Sequence, residues 1–413
     1  MLRECVPASP GVHGMDAGQP GNPPRQKGSP WGRIGAMGNA IDDEKAARLA
    51  AVRACDRVLS GGKRPLMRER LERLVAESAA AYDLDLPLDM YGDGVVATLE
   101  QRVADLLGLE AAAFFPTGTM AQQVALRCWA GRTGNPAVAL HPLAHPEVHE
   151  RDALSVVSGL RTVHPTTAPR MPTAEEIRNL DEPFGTLMLE LPLRDAGFQL
   201  PTWEELTATV AAARDRDAVV HFDGARLWEC PPHFGHSLAE IADLADSVYV
   251  SFYKSLDGIA GAVLAGPADL IAEAKAWRHR YGGLPFQQFP TVLAALAGLE
   301  NELPRLPSYV AHAKNVVEGL RDGLEGAVPF FRINPPVPFT HQFQVWLPYP
   351  ASVLDAAGLR QALETKSVVF GKWFDSEVPG MSVTEVTVAA SALEWTVDDV
   401  AEAVRAFVER LDA

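Results

Sequence analysis

Four places in this 413-residue chain combine reactive residue types with the ends of apolar runs. Phe114-Phe115-Pro116-Thr117-Gly118-Thr119 leads directly into a helical pattern that starts near Met120. Gly118 and Thr119 there offer backbone N–H groups and a hydroxyl at the positive end of a helix dipole, which suits a phosphate. An ordinary N-cap by Thr117 or Thr119 explains the same residues. Ala218-Val219-Val220-His221-Phe222 ends in Asp223-Gly224-Ala225-Arg226. Asp223 can hold a protonated ring nitrogen and Arg226 an anionic oxygen or a carboxylate, or the two can form a structural pair. Ser251-Phe252-Tyr253-Lys254 closes a further apolar run. Burial lowers a lysine pKa and frees its amine to form a Schiff base, and Ser251 can reach a phosphate. A lone lysine after a strand is otherwise a solvated loop residue.

The fourth place, His141 to Glu150, gathers His141, His145 and His149 with Glu147 and Glu150. Recurrence of histidine at every fourth position suggests zinc. Pro142 and Pro146 oppose the single helix that would align the three rings, and no H-E-x-x-H is present, so no metal is expected. An imidazole that stacks on an aromatic coenzyme, or works as an acid or base, fits better. Phosphate cradle, stacking imidazole, carboxylate for a pyridine nitrogen and lysine for an aldehyde are together the needs of pyridoxal 5′-phosphate. Neither G-x-x-x-x-G-K-[ST] nor a well-placed G-x-G-x-x-G offers an alternative phosphate site.

The elements that must position these residues follow from the hydrophobic pattern. Between Tyr91 and about Gly283, strand-like runs at Ala112–Phe115, Val138–Leu140, Leu187–Leu191, Val219–Phe222 and Val248–Phe252 alternate with helical stretches such as Met120–Ala130 and Trp203–Arg214. That rhythm predicts an α/β fold with a mainly parallel, doubly wound sheet, apolar on both faces. In such sheets ligands bind beyond the carboxyl ends of the strands, where all four places lie. A smaller C-terminal α/β domain is expected over 303–413, with a helix near His312–Leu324, strands near Phe343–Leu347, Val368–Phe370 and Val383–Val388, and a closing helix over Val397–Leu411. The large domain is expected over 91–302. Ahead of it, 41–90 reads as a helical arm, with spacing from Asp42 through Val58, a break at Ser60-Gly61-Gly62 and a second helix over Leu66–Tyr82. Residues 1–40, crowded with Gly and Pro, read as a disordered leader.

Asp and Glu number 53 against 37 Lys and Arg, a formal charge of −16, which repels phosphate backbones and anionic membrane surfaces. Small molecules are the expected partners. Cys5, Cys55, Cys128 and Cys230 stand far apart with no C-x-x-C, and no apolar run approaches the roughly 20 residues that span a bilayer. A cytoplasmic location is expected.

This ordered set resembles the threonine aldolase and β-eliminating lyase family, fold type I of the pyridoxal-phosphate enzymes, as a divergent member, over roughly Tyr91 to Glu302 and more loosely beyond. Thr117-Gly118-Thr119-Met120-Ala121, His145 with Glu150 five residues on, His221-Phe222-Asp223-Gly224-Ala225-Arg226, and Ser251 to Leu256 followed by Gly261 to Gly266 carry the resemblance. It implies phosphate contacts from Gly118 and Thr119, His145 over the coenzyme ring, Asp223 on its nitrogen, Arg226 on coenzyme or substrate, and Lys254 as the covalent anchor. It also implies a shared site in a homodimer or homotetramer, with Tyr91 lining the pocket of a neighbouring subunit.

The implied reaction is cleavage of the Cα–Cβ bond of a β-hydroxy-α-amino acid, threonine to glycine and acetaldehyde being the model, with His145 taking the hydroxyl proton. β-Elimination, racemisation or transamination use the same anchor. A metal hydrolase on His141–Glu150 and a coenzyme-binding regulatory protein are readings of other classes. Several substrate-side positions depart from the family pattern: Leu193 stands where a histidine is usual, Phe286 where an arginine is, and Thr384–Ala390 lacks the arginine for a substrate carboxylate. Lys63, Arg64 and Arg194 are the cations whose position and sign could replace the lost charges.

Overall fold

Residues 46–411 are described by the computed structural model, so the leader expected over 1–40 lies outside the described residues. Residues 49–53 are helical, but Arg57–Val58 is a short strand paired in parallel with Ser367–Val368. The helical spacing read through Val58 is corrected here: a partner more than 300 positions away fixes this backbone, which local periodicity does not record. The same pairing takes Val368 out of the small sheet in which it was expected. The second helix is present as Met67–Ala81 (α1), its first turn held by the Glu69 carboxylate, which accepts the Leu66 N–H at 2.6 Å.

Seven strands build the main sheet: Ala111–Phe115 (β1), Ala137–Ala139 (β2), Arg161–Val163 (β3), Thr186–Glu190 (β4), Val219–Gly224 (β5), Ser247–Ser251 (β6) and Ala262–Gly266 (β7). Their spatial order is β1-β7-β6-β5-β4-β2-β3. Strands β6-β5-β4-β2-β3 are parallel throughout, while β7 runs antiparallel to both its neighbours. The sheet is thus mainly parallel, as expected from the apolar runs, and β4, β6 and β7 are buried along their whole length. Strands β3 and β7 were not expected: β3 is three residues long, and β7 is an Ala- and Gly-rich run of weak strand propensity.

Helices return the chain between strands, among them Val95–Leu107 (α2), Gly118–Thr133 (α3), His145–His149 (α4), Trp203–Arg214 (α5) and Ala268–Arg280 (α6). The start of α5 is written into Thr202 and Glu205: the hydroxyl accepts the Glu205 N–H and the Glu205 carboxylate accepts the Thr202 N–H. Buried Glu100 of α2 accepts the Phe114 N–H at 2.8 Å, and Arg278 of α6 donates to the Phe114 carbonyl at 2.6 Å. This ion-paired clamp fixes the end of β1 just ahead of Gly118.

A second, antiparallel sheet has the order β10-β11-β9-β8, from Arg332–Asn334 (β8), Gln342–Leu347 (β9), Phe374–Asp375 (β10) and Ser382–Thr387 (β11). Leu306–Leu324 (α7) packs on Val397–Val408 (α8) at close range. Gly319 permits the approach, since a Cβ there would lie 2.5 Å from the Val397 carbonyl oxygen and 2.7 Å from the Val400 Cβ. A Gly-to-Ala change in a helix gains about 0.5–1 kcal/mol of propensity, but overpacking against fixed backbone costs about 1–3 kcal/mol. Gly319→Ala is therefore expected to lower the urea midpoint of unfolding, and an unchanged or raised midpoint would contradict this packing.

Candidate active site

The carboxyl ends of β4, β5 and β6 present Glu190, Asp223 and Ser251, with Lys254 three residues further on. Glu190 and Asp223 are register partners on adjacent parallel strands, and both are buried. Two like charges so close, taken out of water, each resist ionisation. Burial, then the Asp223 charge, pushes the Glu190 carboxyl up, and burial likewise raises Asp223 against the pull of Lys254. Burial is also the first cause holding the Lys254 ammonium down to about 8, with Arg226 adding to it and Asp223 and Glu190 opposing it. An amine so lowered has a larger neutral fraction near neutral pH than an ordinary lysine, and that fraction is able to attack a carbonyl.

Glu190 was not among the expected site residues, yet it ties the site together. One oxygen accepts the His145 N–H at 2.7 Å and the other the Arg194 N–H at 3.3 Å. That pins the start of α4 and the loop after β4 to the floor of the site. The His145 ring is half-exposed, with Nδ1 3.3 Å from the Glu150 carboxylate, so the expected pair five residues apart does meet. Pro146 sits in the first turn of α4, where a missing N–H leaves no bond unmade. His141 is turned elsewhere: Nε2 bonds the Ala168 carbonyl at 2.7 Å and Nδ1 accepts the Leu143 N–H at 3.0 Å. Among the described residues no three His, Cys, Asp or Glu side chains gather as a metal site.

At the head of α3, Thr117 caps the helix by accepting the Met120 N–H at 3.3 Å, so Gly118 and Thr119 supply first-turn N–H groups that have no acceptor within the helix. A Cβ at 118 would overlap the Tyr249 hydroxyl, so only glycine lets the chain pass this ring. Ser251 donates to the Ala225 carbonyl at 2.8 Å. Ser255, beside Lys254, has a buried hydroxyl with no hydrogen-bond partner. Neither Tyr249 nor Ser255 was anticipated. Position next to the lysine was the one available signal for Ser255.

Arg226 does not pair with Asp223. Its Nε donates to Gln342 of β9 at 2.6 Å, and its guanidinium lies 5.4 Å from the Phe198 ring centroid. Arg194, one of three cations considered as replacements, forks onto Glu385 of β11 at 2.9 and 3.0 Å, whereas Lys63 and Arg64 are exposed. Tyr91 is also exposed: its N–H donates to the Phe286 carbonyl at 3.0 Å and the two rings meet edge-on at 5.3 Å. Among the described residues no hydrogen bond or ring contact joins Tyr91 to the Asp223–Lys254 cluster.

A family model for β-eliminating lyases matches residues 76–329, more than half of the chain. The chain belongs to that family. This β-eliminating lyase family member is 32% identical over 241 residues to the low specificity L-threonine aldolase of Escherichia coli (strain K12), across 57% of this chain and 72% of that one. A Listeria monocytogenes structure assigned as an L-allo-threonine aldolase shares 33% identity with a TM-score of 0.80, covering 89% of this chain and 99% of that one. An Exiguobacterium structure assigned as an aromatic amino acid β-eliminating lyase/threonine aldolase shares 35% identity with a TM-score of 0.79, covering 88% and 99%. The fold is that of the fold type I enzymes.

Pyridoxal 5′-phosphate is the coenzyme of the family, and the residues of this site fit it. The glycine-only passage at 118, the unpartnered Ser255 hydroxyl and the buried Asp223 carboxylate, of which one oxygen accepts the Ala225 N–H at 3.1 Å, match a phosphate and a ring N–H.

The elevated Glu190 carboxyl has a measurable consequence. Its pKa, raised to about 7 in the fold, means that the native state holds a proton the unfolded chain has already released. That contribution to stability is complete below the ordinary glutamate range and lost as pH rises through about 7. For coenzyme-free protein, the stability of Glu190→Gln relative to wild type is therefore expected to increase between pH 5 and pH 8, read from urea midpoints. A pH-independent difference would show that Glu190 is ionised throughout.

Proposed function

We propose that this chain is a pyridoxal-phosphate-dependent lyase that cleaves the Cα–Cβ bond of β-hydroxy-α-amino acids, with threonine to glycine and acetaldehyde as the model reaction. The observation that carries this reading is the placement of Lys254 against Asp223 at the carboxyl ends of neighbouring strands, each perturbing the charge of the other. Lys254 would hold the coenzyme aldehyde, Asp223 its ring nitrogen, His145 its ring face, and Gly118, Thr119, Ser251 and Ser255 its phosphate. When bound, the coenzyme supplies an electron-withdrawing ring to the substrate α-carbon. Arg226 orients the substrate carboxylate. The Lys254 amine moves a proton at the α-carbon, and an imidazole on α4 accepts the proton of the β-hydroxyl. Asp223, kept anionic by the cation it meets, holds a proton on the ring nitrogen facing it.

The working unit in this reading is a homodimer or homotetramer in the cytoplasm. The exposed apolar side chains Leu84, Leu86, Leu88, Met90, Tyr91 and Phe286 support it, and Tyr91 would reach the site of a second copy. No described helix is long and apolar enough to cross a membrane.

Purified protein supplied with the coenzyme is expected to turn yellow and to convert threonine to glycine and acetaldehyde, assayed separately from pyruvate and ammonia. Lys254→Ala is expected to abolish both the visible band and turnover. Asp223→Asn is expected to lower kcat by about 100–1,000-fold. A colourless wild-type preparation, or keto-acid products alone, would refute the reading.

A further inference from the structure

Position 193, where the family pattern carries a histidine, is a fully buried leucine here, so β4 sends no imidazole toward a substrate hydroxyl. A different imidazole stands nearby with the partners that a proton acceptor needs. We propose that His149, oriented by Asp195, accepts the proton of the β-hydroxyl, while His145 stacks on the coenzyme. This inference rests on the reaction proposed above.

His149 lies one turn along α4 from His145, with ring centroids 5.1 Å apart. Its Nε2 is 2.6 Å from an Asp195 carboxylate oxygen, a separation that requires a proton between them. Nε2 therefore donates, and Nδ1 carries the free lone pair, with no hydrogen-bond partner among the described residues. This is the logic by which a carboxylate fixes an imidazole tautomer and sustains the imidazolium formed during proton transfer. Arg194 and Asp195 directly follow Leu193, so the loop that lacks the histidine supplies the groups that hold another.

The charges around the ring decide whether it can serve. From α4 and its end come His145, Glu147 and Glu150, from the loop after β4 Arg194 and Asp195, and from β11 Glu385. Arg194 Nη1, 3.3 Å from Nε2, opposes an imidazolium, but its fork is neutralised by Glu385, leaving Asp195 as the closest charge. The dyad is also anchored to the reacting centre. Glu190 binds the N–H groups of both His145 and Arg194, and the Arg194 charge is felt at Lys254. The His149 ring is exposed, so its free Nδ1 is open to an incoming hydroxyl. In the step, Nδ1 takes the hydroxyl proton, the O–H electron pair closes the aldehyde C=O, and the Cα–Cβ bond breaks with its pair left at the α-carbon. A proton then adds there to give glycine.

The test uses holoenzyme with threonine and allo-threonine. His149→Gln is expected to lower kcat about 100-fold or more with KM within about threefold, and to keep the visible band of the bound coenzyme. Asp195→Asn is expected to keep the band and lower kcat with KM little changed, since the carboxylate that orients the ring is gone. NMR of labelled imidazole nitrogens is expected to place the neutral-state proton of His149 on Nε2 in wild type and to lose that preference in Asp195→Asn. Wild-type turnover in His149→Gln, or a proton on Nδ1 in wild type, overturns the inference. A wild-type holoenzyme that cleaves neither amino acid overturns the proposed function and this inference with it, a failure visible before any variant is made.

Discussion

Two buried carboxyls side by side, Glu190 and Asp223, with the Lys254 amine among them, are the constraint around which the rest of this molecule is arranged. Charges in a low-dielectric interior persist only where hydrogen bonds and counter-charges compensate their lost hydration. The compensation comes from backbone N–H groups of three separate segments: His145 at the head of α4, Arg194 after β4 and Ala225 after β5. Only a parallel sheet brings the carboxyl ends of successive strands to one edge, where such loops converge. A ligand that sets a protonated ring nitrogen against Asp223 relieves part of the remaining cost, so binding it stabilises the native chain by mass action.

The small sheet takes part in this arrangement through two arginines. Gln342 of β9 holds Arg226 and Glu385 of β11 holds Arg194, so both cations depend on strands far from the main sheet in sequence. A shift of β9 and β11 would displace Arg226, Arg194 and, through Asp195, His149 together. The positions of these two arginines are therefore a property of both sheets, whereas Gly118, His145, Asp223 and Lys254 lie on the main sheet or on the helices and loops that directly follow its strands.

Much of this was legible in the sequence, for local reasons. Mostly apolar runs marked β1, β2, β4, β5 and β6 to within a residue or two, and the helical stretch read over Trp203–Arg214 has the bounds of α5. Gly118, His145, Asp223 and Lys254 stood out because chemistry follows directly after a strand. The failures share the opposite property. Arg57–Val58 became a strand through Ser367–Val368, β7 through two flanking strands, and Glu190 became a site residue through a register partner on β5. Each depends on a neighbour distant in sequence, which no window of residues contains.

Register and charge also support the proposal that Arg226 meets the substrate carboxylate. Arg194 has the sign and position to replace the missing C-terminal arginine, but its Nε and Nη2 face the two oxygens of Glu385, and its Nη1 lies 3.2 Å from Asp195. A second carboxylate would have to displace the first or sit beside it, and like charges at that range repel by several kcal/mol, of order 4 at an intermediate dielectric. Arg226 is different. Only its Nε is engaged, by a neutral amide, and neither Nη has a hydrogen-bond partner among the described residues. A guanidinium held at one edge by Gln342 and facing Phe198 keeps its planar fork available for bidentate recognition of a carboxylate. The sheet that lost its own arginine thus supports the assignment of the task to Arg226: β9 orients that side chain, and Glu385 of β11 withholds Arg194 from competing with it.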